Sequence, residues 1–263
     1  MAVPSSVKKS DNKLNPFPGL RAFTQEESHL FFGREGQVDN VVNSLLKNKF
    51  IAVIGSSGSG KSSLIYCGVL SKVIEKGNWN VIKTRPGSMP FENLFQSVNS
   101  TLTNSPDTKK DISSIKKSVS LLLKKNHEET KKSNVFVIDQ FEELFRYSSL
   151  GEEKDSVLSR KEYADFLVDL VNQSDVPVYI IITMRSDFIG ECSRFQNFTA
   201  LINKSNYLIP RMSRENFKSV IVEPIKLFGS SIDDKLVQKI LEEVGDNQDQ
   251  LPVLQHALMR TWN

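Results

Sequence analysis

The sequence has few of the residues that build covalent or metal-bound frameworks. It contains two cysteines, Cys67 and Cys192, and three histidines among 263 residues. Two cysteines cannot form the disulfide framework of a small secreted domain, and nothing in their placement indicates a metal cluster. His29, His127 and His256 are too scattered along the chain to indicate a metal site or a catalytic triad. This composition favours a reducing environment, and we expect a cytoplasmic protein.

The sequence also lacks long apolar runs and a marked excess of charge. No run approaches the roughly 20 apolar residues of a membrane-spanning helix, and the N-terminus has no apolar core of a signal peptide, so we expect no membrane partner. The 34 basic and 31 acidic residues leave a net charge of +3, which indicates no global polyanion partner. The remaining composition is that of a globular chain, long enough for one large domain or two smaller ones.

The most informative motif is a glycine-rich run that matches the phosphate-loop pattern G-x-x-x-x-G-K-[ST] at every required position. An apolar run over 50–54 predicts a buried strand before it, and apolar residues at helical spacing predict a helix after it. A turn that fits the pattern by chance is the alternative, which this context disfavours. We expect nucleotide contacts from Gly55, Ser56, Ser57, Gly58, Ser59, Gly60, Lys61, Ser62 and Ser63.

Strand, loop and helix in this order point backbone N–H groups and a helix N-terminus at a phosphate chain. Lys61 would supply a positive charge to the β- and γ-phosphates, and the Ser62 hydroxyl would be a ligand for Mg²⁺. ATP or ADP with Mg²⁺ are therefore the expected cofactors.

Apolar strands alternate with helices along most of the chain, which predicts an α/β fold, a P-loop NTPase three-layer sandwich around a mainly parallel sheet. Strands are predicted over 50–54, 79–84, 135–138, 178–182 and 207–209, and helices over 38–46, 64–73, 91–102, 112–123 and 163–171. After Ser213 only helices follow, over 217–222, 236–244 and 253–262. We expect a flexible tail over 1–15, the NTPase core over 16–210 and a small all-helical lid over 211–263.

Asp139 follows the predicted strand 135–138 and is the second candidate site residue. A carboxylate at the carboxyl end of a buried strand, downstream of a phosphate loop, is where such ATPases hold Mg²⁺ through the Walker B acid. The alternative is an Asp that caps the next helix. Gln140 stands where many ATPases have a Glu that polarises water, and an amide can orient water but cannot accept its proton.

Glu142 and Glu143 follow Asp139 by three and four residues and would share its face on a helix. Either can act as the catalytic base or as a supporting carboxylate. The alternative is an acidic helix start that complements the helix dipole. The motif therefore predicts nucleotide binding more directly than hydrolysis.

Arg185 ends the fourth strand region, at the sheet edge where ligands of parallel α/β folds bind. A guanidinium there can contact the γ-phosphate directly and so distinguish ATP from ADP. The alternative is a structural salt bridge to Asp187 or Glu191. Glu142, Glu143 and Arg185 are the candidate catalytic residues.

Paired lysines recur between residues 109 and 132, seven or eight residues apart. A helix would align them opposite its apolar positions, so a solvated helix face is favoured over a nucleic-acid or acidic-partner contact. The aromatic side chains that would stack on bases are missing from this stretch, which makes nucleic acid a weaker expectation.

Motifs spread over nearly the whole chain from Pro16 onward resemble STAND ATPases (signal-transduction ATPases with numerous domains), specifically the novel STAND type-one branch. They are N-P-F-P-G-L-R at 15–21, F-G-R-E at 32–35, the phosphate loop, R-P-G at 85–87, D-Q-F-E-E-L-F at 139–145, T-M-R-S-D-F at 183–188 and L-P-V-L-Q-H-A-L at 251–258. The resemblance implies a sheet of the additional-strand type with order 2-3-4-1-5 and a helical lid.

The resemblance also implies roles for several residues. Phe32, Gly33 and Arg34 would lie near the adenine, Arg185 would be the arginine that senses the γ-phosphate, and Pro252 would pack on the nucleotide. The chain departs from the related lid motif at one position, Gln250, where the motif has a glycine two residues before the proline.

For function, the resemblance implies a switch in which ADP holds a closed monomer and ATP drives oligomerisation and effector activation, for example in defence or stress signalling. We expect slow, regulatory ATP hydrolysis, self-association in the ATP state, and sensor and effector modules outside this chain. Two alternatives stay open. One is a non-catalytic, nucleotide-gated assembly scaffold, which Gln140 motivates; the other is a P-loop kinase, for which no acceptor pocket or arginine-rich lid is evident.

Overall fold

The computed structural model describes residues 15–75, 77–103, 111–146, 153–244 and 250–262. The predicted tail over 1–15 lies almost entirely outside the described residues, as does the first lysine pair. Five strands are described: β1 (Phe50–Gly55), β2 (Trp79–Thr84), β3 (Ser133–Ile138), β4 (Val178–Arg185) and β5 (Asn206–Leu208).

The five strands form one parallel sheet with the order β2-β3-β4-β1-β5. This confirms the predicted α/β fold and the strand order that the family resemblance implies. The register pairs Gly55 with Arg185 and Thr84 with Ile138. Because all strands run in one direction, the chain segments that follow β1, β2, β3 and β4 meet at the same edge of the sheet.

Helices cover the two faces of the sheet and follow its last strand. They are α1 (Glu35–Asn48), α2 in three consecutive pieces (Lys61–Ser63, the π-helical Leu64–Val69 and Leu70–Glu75), α3 (Pro90–Leu102), α4 (Ile112–Thr130), α5 (Glu143–Arg146), α6 (Glu153–Asn172), α7 (Gln196–Lys204), α8 (Arg214–Leu227), α9 (Asp234–Val244) and α10 (Gln250–Thr261). Two 3-10 helices, Gln25–Leu30 and Ser186–Arg194, complete the elements described. None of the described helices is long and apolar enough to cross a membrane.

Alternating side chains of β1 belong to different hydrophobic clusters. Phe50, Ala52 and Ile54 pack with residues of α3, α4, α6 and α7, whereas Ile51 and Val53 pack with residues of α1 and α2. A strand that is buried on both faces needs apolar residues at every position. This is why β1 is an uninterrupted apolar run in the sequence, whereas the edge strands β2 and β5, which are only partly buried, contain polar residues.

A third hydrophobic cluster joins α8, α9 and α10, and it also takes in Phe17 from the amino-terminal segment. The Asn15 amide donates a hydrogen bond to the Met259 carbonyl (2.8 Å), and the Phe17 and Trp262 rings meet edge to face. The segment before α1 is therefore attached to the last helix. The boundary at residue 211 between core and lid stays a prediction.

The predicted helix with the paired lysines differs from the observed one at its end. Helix α4 extends past the predicted 123 to Thr130, and Lys131 then adopts a left-handed backbone (φ 58°) that ends it. The last pair, Lys131 and Lys132, therefore lies beyond the helix. Nearer the start of the helix, the Lys116 Nζ lies over the Phe91 ring and 3.6 Å from the Glu162 Oε2. This lysine therefore packs against α3 and α6 instead of extending into solvent.

Candidate functional site

A cavity of about 370 Å³ lies at the carboxyl edge of the sheet. The phosphate loop, the segment 18–23 and α10 surround it. One end is charged, with Lys61, Asp139, Glu142 and Arg185, and the rest of the lining has apolar side chains, Phe23, Leu30, Phe31, Met212 and Val220 among them, together with Arg21 and Arg34. A charged end joined to an apolar chamber has the polarity of a nucleotide, whose phosphates and base need opposite surroundings.

The phosphate loop takes its shape from its glycines. Gly58 (φ 71°) and Gly60 (φ 84°) have left-handed backbones, and a Cβ atom at Gly55 would lie 2.8 Å from the Ser59 Oγ. The Ser59 hydroxyl donates to the Ser56 carbonyl (2.9 Å), which closes the loop on itself. Of the predicted loop contacts, the cavity is lined by Ser57, Gly58, Gly60, Lys61, Ser62 and Ser63, whereas Gly55, Ser56 and Ser59 support the loop.

The Lys61 ammonium is held at the start of the loop. Its Nζ donates to the carbonyl oxygens of Gly55 (3.0 Å) and Ser56 (2.7 Å). Burial lowers the pKa of Lys61, and the negative charge of Glu142 opposes that shift. The side chain is thus a half-buried cation that lines the cavity and has a carboxylate nearby.

Asp139 is buried, with 1% exposure, at the charged end of the cavity. Its Oδ1 accepts hydrogen bonds from the hydroxyls of Ser62 (2.8 Å) and Thr183 (2.6 Å), and its Oδ2 accepts one from the Arg85 guanidinium (3.1 Å). These partners come from α2, from β4 and from the residue after β2. Asp139 does not begin a helix, since α5 starts only at Glu143.

Glu142 and Glu143 do not share a face with Asp139, so that part of the prediction is wrong. Gln140 has a left-handed backbone (φ 58°), and the chain turns there instead of forming a helix. The turn separates the two carboxylates. Glu142 is buried, lines the cavity and accepts a hydrogen bond from the Arg185 backbone N–H (3.3 Å), whereas Glu143 accepts one from the Gly87 N–H (3.1 Å).

Arg185 lines the cavity and also forms the salt bridge that was its alternative role. Its guanidinium donates to both carboxylate oxygens of Asp187 (3.0 and 2.7 Å) and lies over the Phe188 ring. This hydrogen bonding holds the pKa of Asp187 below its usual value. The two partners are partly exposed, so the ion pair stabilises the fold little and can be exchanged for another anion.

The segment Phe32, Gly33 and Arg34 contributes to the site in three different ways. Phe32 lines the cavity. Gly33 (φ 80°) allows α8 to approach, because a Cβ atom there would lie 2.9 Å from the Asn216 carbonyl oxygen. Arg34 lines the cavity too, but its buried guanidinium donates to the carbonyls of Pro210 (2.9 Å) and Ser59 (3.2 Å), and so it braces the phosphate loop.

The amino-terminal part of α10 forms the side of the cavity opposite the sheet. Leu251, Pro252 and Gln255 line it, and a Cβ atom at Gly60 would lie 3.6 Å from the Leu251 Cδ2. Gln250, where the related motif has glycine two residues before the proline, is the first residue of this helix.

Sequence reasoning missed several residues that line the cavity. Arg85 follows β2 and Thr183 lies two residues before the end of β4, and this place at the carboxyl edge of the sheet was a signal that could have found them. Tyr66 lies one turn into α2, and burial raises the pKa of its hydroxyl well above the usual value. Gln255 belongs to the motif at 251–258, but that motif did not indicate that its side chain lines the cavity, which follows from the packing of α10.

Comparison with known proteins places the chain by sequence and by fold. The sequence model of a family described as Novel STAND NTPase 1 matches residues 16–263. A comparison with curated proteins found no match.

Several solved structures share the fold. A Walker-type ATPase of Pyrococcus abyssi is 18% identical with a TM-score of 0.63, and the match covers 93% of this chain and 71% of that one. The structure of the Aeropyrum pernix ORC1 protein in complex with DNA is 12% identical with a TM-score of 0.59, over 87% of this chain and 60% of that one. A chain of the Escherichia coli HORMA:CdnC:Trip13 complex is 12% identical with a TM-score of 0.55, over 86% and 78%.

The Asp139 network predicts a stability effect that needs no ligand. Thr183→Val keeps the side-chain shape but removes the hydroxyl that donates to Asp139 and accepts from the Gln140 N–H (3.0 Å). We expect the free energy of unfolding, measured by urea titration, to fall by about 1–3 kcal/mol. The matched control is Thr101→Val on α3, whose exposed hydroxyl bonds a carbonyl of its own helix, and it should change stability by less than about 0.5 kcal/mol. Equal effects of the two variants would contradict the network.

Proposed function

Because the chain belongs to the Novel STAND NTPase 1 family, and is therefore a nucleotide-binding ATPase, we propose that the cavity beside the phosphate loop is its site for Mg-ATP and Mg-ADP. We further propose that it hydrolyses ATP slowly and that the bound nucleotide switches self-association and effector activation. The observation that carries this proposal is the meeting of Lys61, Ser62, Asp139 and Arg185 at one end of a single cavity.

The loop geometry supports phosphate binding in particular. Left-handed glycines turn successive backbone N–H groups toward one concave surface, and α2 begins at Lys61 with its free N–H groups at the same place. Lys61 adds a mobile positive charge, since the two carbonyls that hold it can be exchanged for phosphate oxygens. The phosphate chain would therefore lie along Gly58, Gly60 and Lys61.

The residues present fit a magnesium ion. A hydroxyl oxygen of Ser62 and a carboxylate oxygen of Asp139 lie 2.8 Å apart, and both are hard oxygen ligands. Among the described residues no group of three or more His, Cys, Asp and Glu could hold a metal, and Mg²⁺ in phosphate sites needs only one or two protein ligands. Once bound, the ion would neutralise charge on the β- and γ-phosphate oxygens.

Lys61→Ala tests the binding site. Without the ammonium, affinity for ATP should fall by roughly 100-fold or more, the loss expected for charge-assisted contacts to two phosphates. Isothermal titration calorimetry with ATP measures it. Lys72→Ala is the control on the same helix, since Lys72 pairs with Asp39 outside the cavity, and its ATP affinity should match the unaltered chain. Unchanged affinity of Lys61→Ala would refute the assignment of this loop.

For hydrolysis, the geometry favours Glu142 over Glu143 as the general base. Glu142 lines the cavity, and its charge acts on Lys61. Glu143 is bonded to the Gly87 N–H outside that lining. Gln140 donates its backbone N–H to Thr183, which fixes the turn that directs Glu142 inward.

Glu142→Gln should lower steady-state phosphate release by roughly 100-fold or more while ATP affinity stays within about threefold, because the amide keeps the shape but cannot accept a proton from water. Glu143→Gln is the matched control, and it should retain turnover within about twofold. Clear turnover that persists in Glu142→Gln would exclude this base. The absence of turnover in the unaltered chain would favour the nucleotide-gated scaffold instead.

The switch rests on a contact that differs between ATP and ADP. Arg185 is paired with exposed Asp187, and a γ-phosphate at the end of the cavity would compete with that partner. The opposite side of the cavity is α10, which meets the loop through Leu251 and the amino-terminal segment through Met259. A ligand that binds two conformations with different free energies shifts the equilibrium between them by that difference in binding free energy. We propose self-association as the response, because this is the response that membership of the STAND family implies.

Light scattering tests this switch directly. With ADP the chain should have the mass of a monomer, and with a non-hydrolysable ATP analogue the average mass should at least double. Arg185→Ala should bind both nucleotides, but its average mass should not increase with the ATP analogue, because the γ-phosphate then has no guanidinium to contact. Arg194→Ala is the control. It breaks an exposed ion pair with Glu191 in the 3-10 helix Ser186–Arg194, and it should behave like the unaltered chain. The same mass with both nucleotides would refute the switch.

A further inference from the structure

Gln255 is a buried polar residue with an unused hydrogen-bonding atom. Its side chain on α10 is 6% exposed and lines the cavity. Within the part of the chain that the structure describes, its Oε1 has no hydrogen-bond donor. A buried acceptor without a donor is unfavourable, so one on a residue that lines a cavity is a candidate for a contact with a ligand.

The position of Gln255 follows from the helix face that it shares. Leu251, Gln255 and Met259 are spaced by four residues and lie along one face of α10. Leu251 approaches the phosphate loop at Gly60, and Met259 approaches the amino-terminal segment at Gly19. Gln255 therefore lies between the loop and that segment, past the phosphate end of the cavity.

The surroundings of this part of the cavity are apolar. Phe23, Leu30, Met212 and Val220 line it, and each is at least nine-tenths buried. Flat apolar walls suit the faces of a nucleobase, and a single polar atom among them then selects the groups on the edge of that base. The Oε1 is itself buried in this structure, so the carboxamide must turn for the acceptor to meet an N–H or O–H donor of the ligand.

We infer that the Gln255 Oε1 accepts a hydrogen bond from the exocyclic amine of adenine, and that this contact selects adenine nucleotides. The inference rests on the proposed function, since it assigns one edge of the same nucleotide site. A site that is built to bond a donor rejects the analogue without it, because the buried acceptor is then left unpaired. The ribose hydroxyls are the other donors of the same nucleotide, and the experiment separates them from the amine.

The experiment measures affinities by calorimetry for ATP, purine riboside triphosphate, which lacks the amine, and 2′-deoxy-ATP. The unaltered chain should bind ATP roughly tenfold more tightly than purine riboside triphosphate, and 2′-deoxy-ATP should bind like ATP. Gln255→Met, which keeps the length but not the acceptor, should bring the tenfold ratio close to one. Gln238→Met on α9, where Gln238 accepts from Arg214 on the surface, should keep the ratio.

Two further measurements distinguish recognition from a structural role. Gln255→Met should not lower the midpoint of thermal unfolding without nucleotide, because the Oε1 has no bond to lose with any residue that the structure describes. Gln255→Glu retains an acceptor and should retain a preference for ATP over purine riboside triphosphate, which keeps the test valid where Gln255→Met does not fold.

Two results would overturn the inference. One is an unchanged ratio of the affinities for ATP and purine riboside triphosphate in Gln255→Met. The other is a large loss of affinity that the unaltered chain shows only for 2′-deoxy-ATP. In both cases ATP binding that depends on Lys61 would leave the proposed function standing. A chain that binds none of the three nucleotides would overturn both.

Discussion

The carboxylate of Asp139 is the constraint on which the site depends. It is buried and accepts hydrogen bonds from Ser62, Thr183 and Arg85. A buried carboxylate is tolerated only where donors surround it, so this one group ties together the ends of β2, β3 and β4 and the start of α2. The bond from Ser62 joins the end of the phosphate loop to this network. The edge of the sheet at the cavity is thus held by polar contacts, whereas the layers behind it are held by apolar packing.

The second organising feature is the connection between the two ends of the described chain. The amino-terminal segment packs on α10 through Phe17, and α10 in turn reaches the phosphate loop through Leu251. The cavity is enclosed by these contacts rather than by the sheet alone. Because a nucleotide would lie between the sheet edge and α10, its binding energy can act on the position of that helix. The proposed switch would act through this contact between nucleotide and α10.

Much of this could be predicted from the sequence, for reasons of local physics. Strands buried on both faces must be apolar throughout, so β1 and β3 were visible as apolar runs, and glycines were needed where the loop uses left-handed backbones. Asp139 was found because it follows a strand. The faces of Glu142 and Glu143 were predicted wrongly, since the left-handed turn at Gln140 is held by Thr183, which is 43 residues further along the chain. No local pattern reveals such a partner.

The sequence by itself therefore determined the fold class, the phosphate loop and the family, because each depends on short runs whose residue types are dictated by backbone geometry and burial. Tertiary structure alone decided that Glu142 rather than Glu143 lines the cavity, that Arg34 braces the loop, and that Gln255 lines the chamber with an acceptor that no donor among the described residues bonds. These outcomes depend on the relative placement of elements that are distant in the chain. Helix packing and the few hydrogen bonds between strand ends set that placement, and neither has a period or a motif in the sequence.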